Sequence, residues 1–231
     1  MRGSAAEMNL SIIIPVLNEA GQLPDLFAHL LPFKRAGCEI IFADGGSTDG
    51  SAKLAEVAGF KVVGADRGRA RQMNAGAAQA SGDILLFLHV DTRLPQGAST
   101  LIPRGLAKQN RSWGRFNVCI TGRPIMLRVV SHMINWRSRL TGIATGDQAI
   151  FVRRSVFEQV NRYPDQPLME DVELCKRLKL FSRPVCIKHC VMTSGRRWEM
   201  HGVWHTILLM WRLRWAYWRG TDAAELARLY Q

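Results

Sequence analysis

DILLFLHVDT, residues 83–92, starts as a strand suited to burial and ends as a polar site. Ile84 through Leu88 are five consecutive apolar residues, and His89, Val90, Asp91 and Thr92 follow at once. In extended backbone, side chains two positions apart share a face. The His89 imidazole and the Asp91 carboxylate therefore leave the strand on the same side, at its carboxyl end. An apolar run without alternation is covered on both faces, as a strand inside a parallel sheet is. Its polar end then falls where open α/β sheets bind ligands, outside the carboxyl ends of their strands.

Working outward, runs of the same kind occur at Leu10–Val16, Cys38–Asp44 and Phe60–Gly64. Amphipathic or capped helical stretches separate them. Together with Asp83–Val90 they predict an α/β, Rossmann-like first half. The second half is less regular. Its patterns predict strands at Trp113–Ile120, Gln148–Val152 and Val185–Met192, and helices at Ile125–Leu140, Met169–Leu180, Met200–Trp218 and Asp222–Tyr230. No repeat, low-complexity tract or linker divides the chain, so a single domain over residues 9–198 is expected, with C-terminal amphipathic helices over 199–231 packed on it. Residues 1–8 read as a tail outside the fold, with Met8 a candidate natural start.

The first, second and fourth strands finish in polar residues that should meet in one crevice: Asn18 and Glu19, Asp44, and His89 with Asp91. No G-x-G-x-x-G follows the first strand and no P-loop is present, which sets aside dinucleotide and P-loop folds. After the second strand stands DGGSTDGS, residues 44–51. Gly45 and Gly46 permit a tight turn and Thr48 or Asp49 can cap the next helix. Asp44, ahead of both glycines, is placed to accept hydrogen bonds from the base or ribose of a ligand.

With 231 residues, 47% of them hydrophobic, the chain has ample material for a core. Its net charge of +12 favours anionic partners. The basic residues are scattered rather than interleaved with aromatics along one surface, so a nucleic-acid partner is not expected. Five cysteines without scaffold spacing read as reduced thiols of a cytoplasmic protein, and Cys186, His189 and Cys190 lack the second ligand pair of a zinc site.

Five motifs in order resemble the family 2 glycosyltransferases of GT-A fold: SIIIPVLNE, DGGSTDGS, RGRARQMNAGAAQASGDILLFLHVDT, GDQAIFVRRSVFEQV and LMEDVELCKRL. They span roughly residues 10–200, and the Leu-His-x-Asp-Thr strand end is similar to that of a bacterial branch. The resemblance implies a mainly parallel central sheet flanked by helices, and transfer of a sugar from a nucleotide-diphosphate donor to an acceptor hydroxyl with inversion. It places the nucleoside on Pro15, Val16, Asn18, Glu19 and Asp44, and the diphosphate near Arg69 and Arg71. Asp91 matches the last acid of the D-x-D motif that holds a divalent cation, Mg2+ or Mn2+, bridging the diphosphate. His89 stands where that motif has its first Asp. It could ligate the metal, bond a phosphate when protonated, or shape the pocket, and the residue alone does not choose.

By the same resemblance Asp171 is the general base and Glu170 its support, while Asp147 and Gln148 lie by the sugar and acceptor. Arg197 and Trp198 match the end of the Q-x-x-R-W motif of processive relatives. Ser194 replaces its glutamine, which favours transfer of a single sugar. A sugar-phosphate nucleotidyltransferase would want a glycine- and arginine-rich phosphate loop after the first strand, where Pro15–Glu19 stands instead. Finally, Trp204, Trp211, Trp215 and Trp218 fall within about 60° of one another on a helix, rimmed by arginines. That stripe fits a core, a subunit contact or the inner face of an anionic cell membrane, where it would serve a lipid acceptor.

Overall fold

The computed structural model describes residues 8–230, so the expected tail lies, apart from Met8, outside the described residues. The first half runs β1 (Leu10–Val16), α1 (Leu23–Arg35), β2 (Glu39–Asp44), α2 (Ser51–Val57), β3 (Lys61–Gly64), α3 (Arg69–Ala78) and β4 (Ile84–Phe87). A two-residue strand β5 (Thr92–Arg93) and α4 (Ala98–Gln109) lead into β6 (Trp113–Thr121) and α5 (Met126–Thr141). Next come β7 (Phe151–Arg153), α6 (Arg154–Gln159), α7 (Glu170–Leu178) and β8 (Val185–Ser194). Helices α8 (Arg196–His201), α9 (Val203–Trp218) and α10 (Ala223–Tyr230) follow.

These strands form one sheet in the order β3-β2-β1-β4-β7-β6-β8-β5. β3, β2, β1 and β4 are mutually parallel, β7 runs antiparallel to β4 and β6, and β8 is parallel to β6. Pairing of Val16 with Asp44 and of Ile13 with Phe87 brings the carboxyl ends of β1, β2 and β4 to one edge of the fold.

The two-faced burial expected of these strands holds for β1, β2 and β4, while the edge strand β3 is partly exposed. Leu10, Ile12, Ile14 and Val16 pack into one layer with α1, whose Leu23, Leu26, Leu30 and Phe33 recur at helical spacing. Ile13 enters the opposite layer with Ala70, Met73 and Ala77 of α3. Each fully buried large apolar side chain stabilises the fold by about 1.5–3 kcal/mol relative to exposure, so slipping β1 by one residue would exchange its two layers.

Two expected elements differ. The strand predicted over Gln148–Val152 begins only at Phe151, because Gly146–Gln148 is a 3₁₀ turn in which the Gln148 N–H donates to Thr145 O (2.9 Å) and the Thr145 N–H to Gln148 Oε1 (3.3 Å), and Ala149 follows at φ +47°. The single helix predicted over Met200–Trp218 is broken at Gly202, whose φ of +79° ends α8 and starts α9.

Candidate active site

The loops after β1 and β2 are bonded to each other. The Asn18 N–H donates to Ser47 Oγ (2.9 Å), Asn18 Oδ1 accepts the Thr48 N–H (2.8 Å), and the Glu19 N–H donates to Ser51 Oγ (2.9 Å). Asp49, just ahead of the Gly50 N-cap of α2, accepts the Ser51 N–H at 3.0 Å and the Ala20 N–H at 2.9 Å. Asn18 thus spends its side chain on Thr48, and the Val16 side chain is core. Pro15 and Glu19 do face the crevice. Burial pushes the Glu19 carboxyl up, with Asp91 adding to it and the Gln22 amide opposing it.

Asp44 is nearly buried. Its Oδ2 accepts the Gly46 and Ser47 N–H groups, both at 3.0 Å, while Oδ1 is enclosed without a partner among the described residues. A buried carboxylate oxygen left open is costly unless something donates to it, and a nucleoside N–H or hydroxyl would. Gln72 of α3, not singled out in the sequence, donates from its buried amide to Val16 O (2.6 Å) and Ala43 O (2.9 Å), tying β1 to β2 beneath these loops.

Past β4, His89 and Asp91 both border the crevice, with different commitments. His89 Nδ1 lies 3.2 Å from Asp147 Oδ1, and its ring packs on Gly146 so closely that a Cβ there would sit 2.4 Å from Cε1. Asp91 keeps its carboxylate to the crevice, touched only by the Thr92 hydroxyl at 3.3 Å. Among the described residues no three His, Cys, Asp or Glu side chains gather as a metal cage. A hard cation held partly by a substrate's phosphates needs only one or two protein carboxylates, so Asp91 fits that task. His89 gives Nδ1 to Asp147 and keeps Nε2 free of hydrogen bonds to other described residues, so the Asp147 contact orients the ring without choosing among its roles.

Glu170 and Asp171 open α7 behind Met169, which takes φ +64°. Asp171 Oδ2 accepts the Gly146 N–H (2.9 Å) and Oδ1 the Val172 N–H (2.7 Å), which fix the carboxylate's orientation. Burial nevertheless holds its carboxyl above the usual aspartate range. Glu170 is buried as well, and burial together with Asp171 raises it, opposed by Arg69 at 3.7 Å. For Asp147, desolvation is outweighed by His89, Arg69 and Arg197, and its carboxyl is lowered. The turn Gly146–Asp147 thus links the end of β4 to the start of α7.

Two further expected site residues do not line the crevice. Arg71 makes a bidentate pair with Asp165 (2.8 and 2.9 Å) instead of lying open to the crevice, whereas Arg67 and Arg69 line it. Gln148 is fully buried and donates to Ser138 Oγ (3.1 Å), an internal strut. Arg197 and Trp198 do line the crevice, and the Arg197 guanidinium lies 3.7 Å over the ring of Tyr230 in α10 and donates to its carbonyl at 2.9 Å. Met210, Leu213 and Arg214 of α9 complete the wall of a crevice of about 600 Å³. Of the three, Leu213 lies opposite the Trp stripe, which was the available sequence signal. For Tyr230 there was none.

A sheet that brings a free acid from the end of β4 and a buried acid from α7 to one crevice, with the nearly buried Asp44 at the carboxyl end of β2, has the GT-A architecture of nucleotide-sugar transferases. The chain belongs to the glycosyl transferase family 2, whose family model matches residues 11–161. The undecaprenyl-phosphate 4-deoxy-4-formamido-L-arabinose transferase of Klebsiella pneumoniae subsp. pneumoniae is 31% identical over 162 residues, 62% of this chain and 47% of that protein. The chain spans about half the length of the curated relatives it matches. Among solved structures, S. aureus TarS 1–349 in complex with UDP superposes with a TM-score of 0.66 at 16% identity, over 81% of this chain and 60% of that one. The mannosyltransferase PcManGT from Pyrobaculum calidifontis, in complex with GDP-Man and Mn2+, gives 0.62 at 18% identity, over 90% and 60%.

Proposed function

We propose that this protein transfers one sugar, with inversion, from a nucleotide-diphosphate sugar to an acceptor hydroxyl. It represents a branch of the family in which Leu-His-x-Asp-Thr stands at the diphosphate. The observation that carries the reading is the fixed, desolvated Asp171 carboxylate in the same crevice as the uncommitted Asp91. Pro15, Glu19 and the open oxygen of Asp44 hold the nucleoside, and Arg67 and Arg69 face the diphosphate. Asp91 would hold a divalent cation, Mg2+ or Mn2+, which when bound neutralises charge on the departing diphosphate.

The acceptor oxygen forms its bond to the anomeric carbon from the face opposite the diphosphate. The bond from that carbon to the diphosphate oxygen breaks, and the hydroxyl proton passes to Asp171. A base whose pKa is lifted toward working pH is better matched to that proton than an ordinary aspartate. Asp147, turned by His89, lies across the crevice for the hydroxyls of the donor sugar, and Glu170 with Arg69 keeps Asp171 in register.

The acceptor side is half apolar. Trp198, Met210 and Leu213 stand beside Arg196, Arg197 and Arg214, a lining that suits a lipid with an anionic head, and the relatives named for undecaprenyl-phosphate point the same way. Thermal-shift titration with UDP- and GDP-sugars tests the donor site. A stabilising donor should lose about tenfold or more in affinity in Asp44→Ala, the loss of a charged hydrogen-bond acceptor. In Asp91→Asn, Mn2+ should no longer enhance binding. Donor affinity unchanged in both variants would move the nucleotide elsewhere.

A further inference from the structure

α9 shows the tryptophans to solvent. Trp204, Leu208, Trp211, Trp215 and Trp218 are 60–79% exposed, while Leu213 on the other side is buried against Met169 and Leu226. At 100° per residue the five fall within about 80° of one another. A second stripe, which the sequence reading did not find, lies on α5. Ile125, at the helix N-cap, with Val129, Met133, Trp136 and Leu140 are 47–79% exposed and also share a sector of about 80°. The two helices approach near their N-terminal ends. The Arg123 N–H, ahead of α5, donates to Glu199 Oε1 on α8 at 2.7 Å, and Met126, Trp198, Val203 and Ile207 pack on one cluster.

Charge decides what can cover these stripes. Neither α5 nor α9 contains an acidic residue, and the stripes are flanked by exposed Arg128 and Arg139 on α5 and by Arg212 and Arg219 at α9. We propose that the two stripes together form a peripheral docking surface for an anionic phospholipid bilayer. Indoles suit the headgroup region, with apolar rings and a polar N–H, and flanking arginines meet lipid phosphates. A second copy of the chain would bring arginines against arginines and place bulky indoles in a helix seam. No helix among the described residues is long and apolar enough to cross a membrane, so the binding proposed is interfacial. The inference stands apart from the sugar-transfer reading, because docking needs no donor.

Vesicle flotation tests it, with phosphatidylcholine vesicles containing or lacking phosphatidylglycerol as the probe. The wild type should float with the anionic vesicles, and less so as salt rises. Binding should fall at least about tenfold in each of two doubles, Trp211→Ser with Trp215→Ser and Met133→Ser with Trp136→Ser. All four positions are exposed, so circular dichroism and donor binding should remain those of the wild type. Three results overturn the proposal: no flotation of the wild type, wild-type flotation in both doubles, or a wild-type dimer by light scattering that the same substitutions dissociate, since a second copy would then cover the stripes.

Discussion

Gly146→Ala would test whether the site depends on the contact between the end of β4 and the Gly146–Asp147 turn. A Cβ at 146 would lie 2.4 Å from His89 Cε1 and 2.5 Å from Nε2, about 1 Å inside ordinary contact. The His89 side chain is only 13% exposed, so the ring has little room to swing away. Either His89 leaves Asp147, or the turn moves and the Gly146 N–H draws back from Asp171. Overpacking of this size costs about 1–3 kcal/mol of stability. A displacement of about 1 Å in a reacting constellation costs roughly a hundredfold in turnover. Losing a hydrogen bond that favours the ionised carboxylate would lift the Asp171 pKa further above its already raised value. Donor turnover against pH, with urea unfolding alongside, reads all three, and the acid limb should move to higher pH. His89→Ala in the same chain should relieve the clash, so the two stability changes should not add. Strict additivity, or a variant with wild-type turnover and acid limb, would refute the coupling.

Burial raises the Asp171 carboxyl, so the base should be lost as pH falls while still above the ordinary aspartate range. Turnover should rise with pH through that limb, and an acid limb unchanged in a residual-activity Asp171→Asn variant would reassign it. At Glu39, burial opposes ionisation, but hydrogen bonds from Ser11, Ser81 and Lys61 hold the carboxyl down at about 2. A depressed folded pKa stabilises above the unfolded value and that stability is lost as pH falls. Glu39→Gln should therefore cost up to about 3 kcal/mol at neutral pH and almost nothing near pH 2, and equal costs at both would remove the ion from the account. If the acceptor is a lipid phosphate, ionised at neutral pH, transfer to it should tolerate Asp171→Asn far better than transfer to a hydroxyl or water. Radiolabelled transfer to each acceptor decides that.

Most of the first half was legible because each strand states its own burial: Leu10–Val16 and Ile84–Phe87 are apolar on both faces and end in polar residues. The second half was harder for local reasons. β5 is two residues long and exists through Thr92 and Arg93 pairing with Thr193 and Met192 on β8, a contact invisible in the chain. Gln148 was read as part of a strand because the turn that holds it is closed by hydrogen bonds with the Thr145 backbone, which its own apolar neighbours do not announce. Arg71 was read at the diphosphate because charge near a helix start suggests anion binding, and only the fold reveals Asp165 as its partner. His89 could not be oriented from the sequence, because its neighbour across the crevice, Asp147, lies 58 residues away in the chain. The α5 stripe escaped because Trp136 is its only indole, and apolar spacing alone does not say which face of a helix is covered.

The central claim is that Asp171 takes the proton while the donor is held elsewhere in the crevice. Donor hydrolysis, with water as the surrogate acceptor, measures it most directly: nucleoside diphosphate released from the best-bound nucleotide sugar by wild type and by Asp171→Asn, at donor concentrations set from each protein's own binding curve. The prediction is donor affinity within about twofold of wild type and release slowed at least about a hundredfold. Release at the wild-type rate, or a donor affinity that collapses with the substitution, would contradict it.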